Sequence, residues 1–120
     1  MLGEPVRRVF PAEAQAVAAV REFVGRVANG CPCDVDAALL VASELATNAI
    51  VHARSPFSVA VLAGADGLTI EVIDDDPVAP TARDAGADAL SGRGMTLVAA
   101  VAASWGSHPA GSGKAVWAHL

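Results

Sequence analysis

The run from Val41 to Ala53, "VASELATNAIVHA", constrains the fold of this chain more than any other stretch. Apolar residues recur through it at helical spacing and leave few faces polar, yet Glu44, Asn48 and His52 return at every fourth position. A helix advances about 100° per residue, so residues four apart drift by only about 40°; the three side chains, with Thr47 beside them, are expected on one stripe. A helix packed on most sides keeps such a stripe only where it meets solvent or a polar group held inside the fold.

At 120 residues the chain has room for one core and one site, so a single domain over 1–120 is expected. A hydrophobic fraction of 53% against 18% charged residues excludes a disordered chain, and the scarcity of aromatics implies a core of small, closely packed side chains. The formal net charge of −5 and the lack of a basic run argue against direct nucleic-acid binding and against an anionic membrane surface. No uninterrupted apolar run approaches the roughly 18 residues of a membrane span, and "MLGEPVRRVFP" lacks a signal-peptide core, so a cytoplasmic protein is expected. Cys31 and Cys33, with one proline between them, are too close for a relaxed disulfide and too few for a structural zinc site. They read as loop residues.

Val6 to Phe10 reads as a first strand, and Pro11 opens a helix that should end near Asn29 and Gly30. Asp34 is a candidate N-cap for the long helix through Ala53. "FSVAVLAG" and "LTIEVIDDD" then form a hairpin around Ala65 to Gly67, with Leu68, Ile70, Val72 and Asp74 on one face of their strand. Asp75 should point the other way. Pro77 to Ser91 loses periodicity and reads as a mobile loop; "GMTLVAAVAA" reads as a further helix opened by "GRG", and "SWGSHPAGSGKAVWAHL" as two closing strands. The order β-α-α-β-β-α-β-β predicts a two-layer α/β sandwich whose mixed, mostly antiparallel sheet is covered on one face by three helices.

Several positions invite chemistry. The amide oxygen of Asn48 suits Mg²⁺, and the carboxylate of Glu44 suits proton abstraction. A helix start preceded by glycines offers free N–H groups to a phosphate, although "GRG" is also an ordinary tight turn. Asp74 at its strand end and the "DDDP" run are likewise turn chemistry, and His52 suits a helix C-terminus without any further role. A hydrolytic acid/base set of Glu44, His52 and Asp74 lacks a recognisable nucleophile turn.

Taken in order, "ELATNAIVHA", "IEVIDDDPVAP", "GRGMTLVAAVAASWG" and "GKAVWAHL" resemble the N, G1 and G2 boxes and closing strand of the GHKL (Bergerat-type) ATPase superfamily. Within it the chain is most similar to the small stand-alone anti-sigma factor and serine protein kinase group. The resemblance implies ATP and Mg²⁺ as cofactors, Asn48 as the metal ligand, Glu44 as the catalytic base and Asp74 as acceptor for the adenine amino group. Gly92, Arg93, Gly94 and Met95 would bind nucleotide at the lid over the phosphates. It further implies serine/threonine kinase activity toward an anti-sigma-antagonist protein, a sigma factor as second partner, and a possible homodimer. The chain departs from the family where Asp76 and Val78 replace the G1 glycines and where Ala115 stands for a threonine that supports the adenine. An alternative implied by those departures is a regulatory module with weak or no catalysis that acts by protein binding.

Overall fold

The computed structural model describes residues 4–53, 55–78 and 89–120, with side chains in the last stretch described from Met95 onward. Its strands are β1 (Val6–Phe10), β2 (Phe57–Gly64), β3 (Gly67–Asp74), β4 (Ser104–Ala110) and β5 (Gly113–His119). They form one sheet in the order β1-β2-β3-β5-β4, with every described pairing antiparallel rather than mixed. The helices are α1 (Ala16–Ala28), α2 (Val35–Asn48) and α3 (Ala89–Val101). The architecture is the expected two-layer sandwich.

Strand alternation sorts the sheet into two faces. Phe10, Val59, Val61, Leu68, Ile70, Val72, Val116 and Ala118 are buried in the same core as Val20, Val24, Val41, Leu45 and Val98 of the helices. Each fully buried Val, Leu or Ile contributes about 1.5–3 kcal/mol relative to exposure. Phe10 anchors the β1 end, its ring centroid 5.9 Å from that of Phe57 and 6.0 Å from that of Phe23, and the Arg8 guanidinium lies 5.4 Å from the Phe23 centroid. On the opposite face, the ring of Trp117 lies across Gly106 of the neighbouring strand, where an added Cβ would stand 3.0 Å from a ring carbon. Thr69 and His119, paired across the strands, share a 2.8 Å hydrogen bond there.

Three element boundaries differ from expectation. Helix α1 starts at Ala16, after a turn in which the backbone N–H of Ala16 donates to the Glu13 carbonyl. The long helix ends as an α-helix at Asn48 and continues as one wider π-helical turn, Ala49–Ala53. Helix α3 starts at Ala89, inside what reads as loop; positions 79–88 of that loop lie outside the described residues.

The continuous helical stretch Val35–Ala53 is long and apolar enough, by length and composition, to cross a membrane. It is interrupted by polar residues, which is why a search for an unbroken apolar run passes over it. Here α1 and α3 both pack on α2, and Ala38, Val41, Ala42, Leu45 and Ala46 point into the core.

Candidate functional site

Asp34 caps α2, its Oδ1 accepting from the backbone N–H of Ala37 at 3.2 Å, as its place before the apolar run suggests. Helix α1 lies along the flank of Leu39 and Ser43: the Arg21 guanidinium donates to Ser43 Oγ at 2.9 Å and to the Leu39 carbonyl at 3.4 Å. Glu44 and Asn48 stand about 140° round the helix from that flank. Both are half-buried, and neither side chain has a hydrogen-bond partner among the described residues. They are the open acceptors of α2.

The π-turn begins immediately after Asn48. Its i→i+5 pattern is wider than that of an α-helix, and His52, inside it, is exposed where Glu44, Thr47 and Asn48 are half-buried. Such turns occur frequently at functional sites, where they re-aim the residues beside them.

Only residues 54–56 separate the π-turn from β2, and Ser58 near the start of β2 pairs with Ile73. The end of α2 and the Asp74 end of β3 are thus brought to the same end of the molecule. The Ser55 hydroxyl, in this connection, is buried with no partner among the described residues. Its short side chain beside a proline carries no signal that sequence reading could have used.

Asp74 is buried at 5% exposure, whereas Asp75 is exposed, as the strand alternation requires. What the sequence does not announce is Lys114. This lysine, the second residue of β5, stands directly opposite Asp74 and is itself only 7% exposed. Its Nζ donates to Asp74 Oδ1 at 3.0 Å, to Asp74 Oδ2 at 3.1 Å and to the Asp76 carbonyl at 3.0 Å. The available signal is parity: Lys114, Val116 and Ala118 alternate, so the lysine belongs to the core-facing set. A buried carboxylate and a buried ammonium offset each other's loss of water.

The turn after β3 is held by its own side chains. Asp74 Oδ1 accepts from the Asp76 N–H at 2.9 Å, and Asp76 Oδ1 from the Val78 N–H at 3.0 Å. Two successive Asx turns thus stand where the resemblance leads one to expect glycines. Ala115 pairs with Ile73, so it leaves the sheet on the face opposite Asp74 and Lys114. A threonine at that position would not face Asp74.

The Gly92-Arg93-Gly94 run lies within α3 instead of preceding it, and the side chains of 89–94 are outside the described set. Met95 is 1% exposed and belongs to the core, so its thioether is packing rather than lining a cleft. Cys31 and Cys33 are free and partly buried against the core. Burial, then a hydrogen bond with Cys31 and the nearby charges of Cys31 and Asp34, push the Cys33 thiol up to about 11. A thiol held protonated is a poor nucleophile and metal ligand.

Among the described residues, no group of three or more His, Cys, Asp or Glu side chains is placed to hold a metal ion. A Mg²⁺ site here would resemble those in which the cation arrives with phosphate and takes few protein ligands. No curated protein matches the chain. A family model described as a histidine kinase-like ATPase domain matches residues 10–120, from the end of β1 to the last residue. With the match spanning all three helices and strands β2 to β5, the chain belongs to the histidine kinase-like ATPase (GHKL) domain family.

Proposed function

We propose that the protein binds Mg·ATP at the end of the molecule where α2 meets the Asp74 end of β3. The observation that carries this reading is the pair Glu44 and Asn48, two acceptors without partners among the described residues, on the flank of α2 away from α1. The donor set fits the ligand. Asn48 would hold Mg²⁺ through its amide oxygen, Asp74 would accept from the base amino group, and the orphaned Ser55 hydroxyl leaves a further polar group to be satisfied nearby. Bound nucleotide would supply a transferable γ-phosphoryl group.

On this reading Glu44 takes the proton from an attacking serine hydroxyl, and the protein is a cytoplasmic anti-sigma-like regulator. It would phosphorylate an anti-sigma-antagonist partner and bind a sigma factor by a second surface, as a monomer or a homodimer. Resemblance supports the partners. Calorimetry with and without a chelator tests the site: Asn48→Ala should abolish Mg²⁺-dependent ATP binding, and equal binding by wild type and variant would remove Asn48 from it. Glu44→Gln should retain affinity and lose about 10²–10⁴-fold in transfer rate, the usual contribution of a general base. Transfer at the wild-type rate would make Glu44 structural.

A second reading, a nucleotide-weak regulatory module, is favoured by one observation. Asp74 is already engaged by Lys114, and Asp76 and Val78 place side chains where close approach to nucleotide favours glycine. Failure of the wild type to bind ATP at millimolar concentration would select it.

A further inference from the structure

We infer that Lys114 is a positioning residue that sets which purine the site accepts, by leaving Asp74 a single free acceptor position. The inference rests on the nucleotide reading above and concerns how the base is told apart.

An ionised carboxylate has two oxygens and about four lone-pair positions. Asp74 Oδ1 receives two donors, the Asp76 N–H at 2.9 Å and Lys114 Nζ at 3.0 Å. Among the described residues Oδ2 receives only Lys114 Nζ, at 3.1 Å. One oxygen is therefore full and the other has room for one more donor. The ammonium is also full: its three N–H bonds meet three acceptors, Asp74 Oδ1, Asp74 Oδ2 and the Asp76 carbonyl. Lys114 consequently has no donor left for a phosphate or for a base carbonyl, and it acts on a ligand only through Asp74.

Purines differ in what they ask of such a group. Adenine presents one amino donor beside a ring acceptor, and a single free lone pair suits it. Guanine presents a carbonyl at the equivalent position and, along its next edge, two parallel N–H donors that a carboxylate with both oxygens free would receive together. Lys114 removes the second acceptor and with it the arrangement that suits guanine. The fixed ammonium also prevents the carboxylate from turning, because all three of its bonds hold it to the Asp74–Asp76 turn.

The test is competitive binding of Mg·ADP and Mg·GDP to wild type, Lys114→Met, Asp74→Asn and the double variant. Wild type should prefer ADP. Lys114→Met should lose about tenfold of that preference, the worth of one hydrogen bond to a charged group, and lose it chiefly through tighter GDP binding. A merely structural lysine would weaken both nucleotides together. Because Lys114 acts through Asp74, the double variant should show the preference of Asp74→Asn alone. If Lys114→Met does not fold, Lys114→Arg serves instead: a planar guanidinium cannot meet the same three acceptors, and the preference should again fall. An unchanged ADP-to-GDP ratio in a folded Lys114 variant overturns this inference while leaving nucleotide binding intact. No binding of either nucleotide by the wild type at millimolar concentration overturns the nucleotide reading and this inference with it.

Discussion

Lys114 and Asp74 bring opposite charges onto the core-facing side of β3 and β5, which is otherwise apolar, and each is tolerated there because of the other. Removing one partner of a buried pair leaves an uncompensated charge and typically costs about 3–5 kcal/mol. Lys114→Ala should therefore lower the unfolding free energy measured in urea by an amount in that range, and Asp75→Asn, at an exposed neighbour, should leave it within about 0.5 kcal/mol. Cys33 is a second residue whose surroundings make a prediction. Its folded-state value of about 11 lies above the ordinary 9.0, so the folded protein holds this proton more tightly than the unfolded chain. The sign follows: the contribution is complete below pH 9.0 and is lost as pH rises toward about 11. Urea unfolding across that interval should show stability falling with pH, and Cys33→Ser should flatten the fall; an identical slope in the variant would mean that another group titrates.

At the scale of elements, the tightest requirement is at the β4–β5 hairpin. A Cβ on Gly113 would stand 1.8 Å from the Asp74 carbonyl oxygen and 2.6 Å from the Asp75 Cα. Both neighbours are backbone, so the hairpin must move, and it carries Lys114 with it. Gly113→Ala should destabilise the protein by at least the 1–3 kcal/mol of overpacking, about 2 kcal/mol or more, in thermal or urea unfolding. It should also weaken ATP binding. The strands were the legible part of the fold. Val6–Phe10 was bounded by its own charge and proline pattern, and the alternation of Leu68, Ile70, Val72 and Asp74 placed the carboxylate on the buried face. The helices were harder. The apolar faces of α2 continue through the π-turn, so nothing in the spacing marks the change of pitch after Asn48. Helix α3 starts at Ala89 in a stretch whose alanine and glycine content suits loop and helix alike.

For the whole molecule, the sheet order and short connections put the end of α2, the end of β3 and the β4–β5 hairpin together. Glu44, Asn48 and Asp74 stand out in the sequence as candidates because each breaks a local apolar pattern. Lys114 does not, because its significance comes from a cross-strand partner 40 residues away. Ala115 was misplaced for a related reason: its face depends on register with β3, which a single strand does not specify. The most direct measurement of nucleotide binding at this convergence is an amide ¹H–¹⁵N titration of the intact chain with Mg·ATP to millimolar concentration. Shifts that saturate together at Glu44 to Asn48 and at Asp74 to Asp76 are the predicted result. A spectrum unmoved at those residues, or moved only on the sheet face of Glu71 and Trp117, would contradict it.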